Sequence, residues 1–294
     1  MARLHKQLSD ICQRNKDGSF ATQSNRFRTL QMFADQLKKA GFDVKKMQAI
    51  DLKGRHVNAL LAAWKSDNVT TGTIKNRMAV LRWWAEKINN KGAVKSNEDL
   101  GIERRIFVTN DDKGATLKDL DLSKVSKHVE TSLKLQDAFG LRREEAMKFQ
   151  ASYALQGQSV EVVKEIKIKG SWAKGGRERT VPITNEKQLK VLKEAQIVCN
   201  GGSLIPRERS YKEHVKVFER ETSEAGLGRT HGLRHNYAQD RYLELMGIEC
   251  PSRGGSNLAP ELKEKDKQVR QLISEELGHN RINITSVYLG SWSK

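Results

Sequence analysis

The sequence predicts a mainly α protein with one small antiparallel β-sheet, divided into a helical domain and an α+β domain. Three observations carry this. Apolar residues recur at helical spacing through most of the 294 residues. One stretch, 151–183, changes character, with Val160, Val162, Ile166 and Ile168 on one face as in a strand. The polar, turn-rich run Asn110-Asp111-Asp112-Lys113-Gly114 separates the two periodic halves. The expected organisation is a polar lead-in over residues 1–24, a helical domain over 25–108, a linker over 109–116 and a larger domain over 117–294.

Within the first domain, residues 1–24 are polar and interrupted by Gly18, Ser19 and Ser24, so an extended or partly ordered arm is expected. From Asn25, a helix places Phe27, Leu30, Phe33, Ala34 and Leu37 on one face and stops at Gly41. Val57, Leu60, Leu61 and Trp64 form the stripe of a second helix. A third, opened by Thr71 or Thr73, turns Ile74, Met78, Leu81, Trp84, Ala85 and Ile88 inward and displays Lys75, Arg77, Arg82 and Lys87. Trp83 and Trp84 point about 100 degrees apart on a helix, so only one can sit centrally in the core.

Beyond the linker, Asp121-Leu122-Ser123 begins a helix running through Val125, Val129 and Leu133 to Gly140. A second helix starts at once with Leu141-Arg142-Arg143-Glu144-Glu145. Val160, Val162, Ile166 and Ile168 share one strand face, and after the loop Gly170–Gly176 a second strand runs from Arg177 to about Pro182. Leu189, Leu192, Val215 and Phe218 belong to two scaffold helices, with Tyr211 and His214 assigned to packing or surface. Thr230 is the N-cap candidate of a helix anchored by Tyr237, Ala238, Tyr242 and Leu245. Pro251, Gly254, Gly255 and Pro260 make the start of residues 247–267 loop-like. Val269, Leu272, Ile273 and Leu277 then resume a helix closed by Gly278, and Asn283 caps a short helix carrying Tyr288.

Charge narrows the class of partner. Lys and Arg number 53 against 36 Asp and Glu, a formal charge of +17, which points to a polyanion. Residues 1–110 hold 21 basic and 10 acidic residues, so the first part is the more cationic. No run of eighteen apolar residues occurs and the first twenty residues have no apolar signal core, which predicts a cytoplasmic protein with no membrane partner. Cys12, Cys199 and Cys250 are scattered and lack a CxxC pair, so free thiols are expected rather than a disulfide framework or a zinc knuckle.

The chemistry gathers between Thr230 and Tyr288. His231-Gly232-Leu233-Arg234-His235 puts His231 and Arg234 on one helix face, and Leu277-Gly278-His279 precedes Tyr288 by nine residues. An arginine among imidazoles can hold a phosphate's charge, and a phenol beside them can attack the phosphorus. His231 and His235, four apart, also fit a zinc reading. That reading fails because Gly232 stands where a general-base Glu belongs and Arg234 would repel a dication.

These two boxes resemble those of the tyrosine recombinases, the phage and mobile-element integrases. The resemblance extends to Gly140-Leu141-Arg142 with Glu145, similar to that family's first box, and to Lys174 ahead of Arg179-Thr180-Val181-Pro182, similar to its lysine hairpin. It implies a two-domain architecture of helical core-binding domain plus catalytic domain. It further implies a site built from Arg142, Lys174, His231, Arg234, His279 and Tyr288, with Glu145 in support and DNA contacts from Lys75, Arg77 and Arg82. Arg143 competes with Arg142, and Lys169 with Lys174. The implied reaction is site-specific cutting and rejoining of double-stranded DNA through a 3′-phosphotyrosyl link, with no metal, ATP or other cofactor. A dimer on each site, a tetramer in the synapse, accessory DNA-bending proteins and a nucleoid-associated location go with it. Type IB topoisomerase activity, or a non-catalytic DNA-binding regulator on the same scaffold, are the alternatives.

Overall fold

A computed structural model describes residues 2–118, 120–279 and 281–292. The chain forms two compact units, residues 1–106 and 107–294. No helix among the described residues is long and apolar enough to cross a membrane.

The first unit is a helical bundle of α1 (Arg3–Arg14), α2 (Phe20–Lys39), α3 (Gly54–Ser66) and α4 (Thr71–Lys87). Here the expected lead-in is corrected. Leu4, Leu8 and Ile11 of α1 are buried in the same core as Leu30, Phe33 and Leu37. Polar and charged residues, two thirds of α1, mask this short stripe in the sequence, yet three apolar anchors at helical spacing suffice once α2 covers them. Gly18 and Ser19 form the turn between helices, where the Ser19 hydroxyl accepts from Thr22 N–H as the N-cap of α2. That helix therefore starts five residues before Asn25, and its Phe27 is exposed rather than inward. Thr70, not Thr71 or Thr73, caps α4. Trp84 is fully buried and donates to the Ala49 carbonyl at 3.0 Å. Trp83 lies at the edge, donating to Asp17 with the Arg26 guanidinium 4.1 Å above its ring.

The second unit wraps its helices around α5 (Lys127–Phe139), which is buried along most of its length and lies against α8 (Glu186–Cys199) and α10 (His231–Met246). Short α6 (Arg143–Met147) and α7 (Ala151–Ala154) lead to the two-stranded sheet, β1 (Glu165–Ile168) and β2 (Arg179–Pro182), paired antiparallel from Glu165 with Pro182 to Ile168 with Arg179. After α8, α9 (Tyr211–Glu224) precedes α10, and α11 (Lys263–Glu276) and α12 (Ile282–Leu289) follow it. The sheet's inner residues Ile166, Ile168 and Val181 join Phe139, Phe149, Trp172, Leu192, Tyr242 and Leu289 in the main core.

Several boundaries differ from expectation. The strand begins only at Glu165, and Val162 is exposed. Leu122–Lys124 is a 3₁₀ turn ahead of α5, capped by Asp121, Leu272 faces outward, and Arg281 rather than Asn283 precedes α12. Residues 109–116, expected as a linker, are held by the second unit. Ala115 N–H donates to the Gly232 carbonyl, Gln239 donates to Asp112, and Asn110 exchanges two hydrogen bonds with the Ser291 backbone. Backbone that looks turn-rich is ordered wherever side chains supply its partners.

Candidate active site

Gly140 ends α5 in the left-handed region, φ +59°, and a Cβ there would fall 2.4 Å from the Tyr237 ring. Only glycine lets the chain turn this tightly into Leu141 and Arg142. Arg142 then occupies the N-cap of α6, where its own N–H and its guanidinium both donate to the Glu145 carboxylate at 2.8 Å. Arg143 points away and pairs with Glu219 at 2.7 Å, which separates the two candidate arginines.

Glu145 is fully buried and has a second guanidinium on it. Arg179 of β2 donates to both carboxylate oxygens, at 3.0 and 2.7 Å, and its Nε donates to the Glu276 carbonyl at 2.7 Å. Burial works to raise the Glu145 pKa. The hydrogen bonds and charge of Arg179, with Arg142 and Arg234, outweigh it and bring it down to about 2. Sequence reasoning read Arg179 only as closing a strand. Strand alternation held the signal, since residues 179 and 181 share a face and Val181 is core.

Arg234, one turn into α10, is buried in the middle of the site. Its guanidinium donates to the Gly140 and Leu277 carbonyls, to the Tyr288 hydroxyl at 3.3 Å, and approaches His279 Nε2 at 3.3 Å. Burial lowers its pKa to about 10 against the opposing pull of Tyr288 and Glu145, so it stays charged at neutral pH. Those two carbonyls end α5 and α11, so one side chain fastens together the turns that present Arg142 and His279.

Tyr288 is only 5 % exposed. Its hydroxyl lies 3.4 Å from His231 Nε2, and its ring sits 5.5 Å from that of His279 and 4.6 Å from that of His235. His235, which closes the His231–His235 box in the sequence but was given no place in the expected site, is the second residue the structure adds. Burial, then the Arg234 and Arg142 charges, lowers the pKa of His231, and the same causes bring His279 to about 3. His235 falls to about 4, by burial first and the neighbouring His231 next. All three imidazoles are neutral near pH 7, so His231 can accept a proton and a bound anion would meet uncancelled guanidinium charge.

Lys174 is not brought into this group. It is exposed on the loop before β2, where Gly175 and Gly176 take φ of +79° and +71°, and makes no hydrogen bond or ion pair among the described residues. Its competitor Lys169 lies over the Tyr153 ring at 5.2 Å. In the other unit, Arg82 donates to the Lys95 carbonyl and to Asn97, and Arg77 lies 5.3 Å over Trp64, so both are partly engaged in scaffold contacts. Lys75 stands half-exposed on the same helix.

The family model described as phage integrase, N-terminal, matches residues 1–90, and the one described as integrase matches residues 109–240. No curated protein matches the sequence. Among solved structures, a lambda integrase dimer bound to a COC′ core site is 14 % identical with a TM-score of 0.60, over 99 % of this chain and 79 % of that one. The XerH site-specific recombinase bound to palindromic difH substrate in a post-cleavage complex is 18 % identical with a TM-score of 0.58, over 98 % and 81 %. The Tn1549 transposon integrase in complex with transposon right end DNA is 12 % identical with a TM-score of 0.56, over 98 % and 95 %. At these identities the three structures speak for the fold alone, mainly helical with a small two-stranded antiparallel sheet. With residues 1–90 matched by a phage integrase N-terminal model and residues 109–240 by an integrase model, the chain belongs to the tyrosine recombinase family of phage integrases.

Proposed function

We propose that this chain cuts and rejoins specific DNA sites by transesterification at Tyr288. The Tyr288 oxygen attacks the scissile phosphorus, its proton passes to His231 Nε2, and the bond from phosphorus to the 5′ oxygen breaks. A 3′-phosphotyrosyl link forms, and reversal with a new 5′ hydroxyl rejoins the strand. Arg142, Arg234 and His279 hold the charge that builds on the phosphate oxygens, in a pocket where three guanidiniums face the single carboxylate of Glu145. The bond energy is conserved in the phosphotyrosine, so the step itself consumes no nucleotide. The observation that carries this reading is the Tyr288 hydroxyl, buried and within 3.4 Å of both Arg234 and His231.

Lys174 is the proposed donor of the proton to the departing 5′ oxygen. Its exposed position on a glycine-flanked loop is one from which a lysine can swing inward when DNA arrives. Lys75, Arg77 and Arg82 are the proposed DNA contacts of the first unit, from the free donors that remain to them. Assembly as a dimer on each site and a tetramer in the synapse, accessory DNA-bending proteins and a place in the nucleoid complete the proposal. The lambda integrase structure, a dimer on its core site, supports the first of these by likeness.

The test uses supercoiled plasmids and duplexes carrying the DNA that flanks the chain's own coding sequence. Holliday junctions formed between two site-bearing duplexes, lost with Tyr288→Phe while DNA binding persists, support the proposal. Relaxation of supercoils regardless of sequence, without junctions, would assign topoisomerase action. Binding with neither product would assign a regulator.

A further inference from the structure

We infer that Arg179 is a positioning residue for strand cleavage, setting Arg142 through Glu145 and the His279 turn through the end of α11. This rests on the transesterification reading above. Arg179 reaches three structural pieces at once. Its two terminal nitrogens hold the Glu145 carboxylate, whose other hydrogen bonds go to the Arg142 backbone and guanidinium. Its Nε holds the Glu276 carbonyl, three residues before His279.

Contact with that turn is close. A Cβ on Gly278 would lie 3.0 Å from Arg179 Cδ, and Gly278 itself takes φ +67°. The guanidinium thus packs directly against the backbone that delivers His279. Arg179 also pairs with Ile168 at the end of the sheet next to the Lys174 loop, so two roles are conceivable for it, one through the phosphate clamp and one through the lysine. Its side-chain hydrogen bonds among the described residues all lie on the clamp side. With its side chain 6 % exposed, Arg179 has little surface to offer DNA.

A lysine could keep the charge opposite Glu145 but not the flat fork that spans the carboxylate and the Glu276 carbonyl together. Glutamine would keep neither. Removing Arg179 leaves the Glu145 carboxylate to Arg142 alone, with freedom to draw it away from the phosphate. DNA affinity, which this side chain does not supply, is preserved.

The experiment measures single-turnover cleavage of two nicked suicide substrates, one ordinary and one with sulfur in place of the bridging 5′ oxygen. A thiolate leaves without a proton, so Lys174→Ala should be slow on the first and recover on the second. Arg179→Lys and Arg179→Gln are expected to be slowed on the order of tenfold or more on both, with DNA affinity within about threefold of the parent. Arg179→Lys made in an Arg142→Ala background should add little to the loss, because both changes act on one clamp. A melting curve shows which variants are folded, and if Arg179→Gln is not, Arg179→Lys carries the test.

Unchanged cleavage by a folded Arg179 variant overturns the inference. So does a defect that disappears on the sulfur substrate, which would place Arg179 with Lys174, or one that adds fully to Arg142→Ala. Failure of the underlying reading looks different, since the parent protein itself would then form no adduct on either substrate.

Discussion

Replacing Glu145 by glutamine keeps the shape of the side chain and removes the carboxylate against which Arg142 and Arg179 are set. The magnitude can be worked in two ways. The Glu145 pKa is held at about 2 against 4.5 for the free group, which by linkage is roughly 3 kcal/mol of stability at neutral pH. Breaking a buried ion pair by removing one partner costs about 3–5 kcal/mol, because the other charge is left uncompensated. The two agree on about 3 kcal/mol, a fall of roughly 6–12 °C in the melting temperature of a unit this size. The sign of the pH dependence follows from the depressed pKa. The contribution is complete above the unfolded value near 4.5 and is lost as pH falls toward 2. Thermal melts of parent and Glu145→Gln should therefore differ by a constant amount from about pH 7 to 5 and converge below about pH 4. Equal melting at neutral pH, or a gap that stays constant down to about pH 3, would refute the reasoning.

Arg234→Lys cannot serve the Gly140 and Leu277 carbonyls and the Tyr288 hydroxyl together, so single-turnover cleavage should fall on the order of a hundredfold; a change under threefold would be inconsistent with its central place. Gly140→Ala forces a side chain onto φ +59° and into the Tyr237 ring, so chemical denaturation should show a loss of about 2–3 kcal/mol, and an unchanged midpoint would mean that α5 ends differently. His279 and His235 have pKa values pushed down to about 3 and about 4, so the unfolded chain takes up protons first as pH drops below 6.5. Stability should fall between about pH 6.5 and 3, and His279→Gln should flatten that fall; an identical slope in parent and variant would count against the buried, neutral imidazole. DNA binding measured by anisotropy should weaken at least about a hundredfold between about 50 and 200 mM salt, and a flat dependence would leave the +17 charge without a role in binding.

The sequence disclosed the site more fully than its setting. Spacing alone put His231 and Arg234 on one face, whereas Arg142 was singled out by the resemblance of Gly140-Leu141-Arg142 with Glu145 to the family's first box. Glu145 was legible as a support but not Arg179 on its far side, since the partner arrives from residue 179 through sheet pairing that local pattern does not encode. His235 escaped for a related reason. Its ring packs on Tyr288, 53 residues later in the chain, and only the crossing of α10 and α12 brings them together.

In the first unit, α1 went unread because three apolar residues in a charged segment make a weak stripe until α2 supplies the opposing surface. The purpose of residues 247–267 was also illegible, and the structure gives part of it. Ser252 in that insertion donates to the Tyr288 carbonyl at 3.1 Å, beside Gln239 at 3.4 Å, and so helps hold the end of α12 in place.

The most direct measurement is identification of the residue joined to DNA after reaction with a nicked suicide duplex, by digestion and mass spectrometry of the trapped complex. The account predicts one adduct, a 3′-phosphate esterified to Tyr288, absent from Tyr288→Phe. A link to Tyr153, Tyr211, Tyr237 or Tyr242, a link through the 5′ end, or cleavage that proceeds with no covalent species would contradict it.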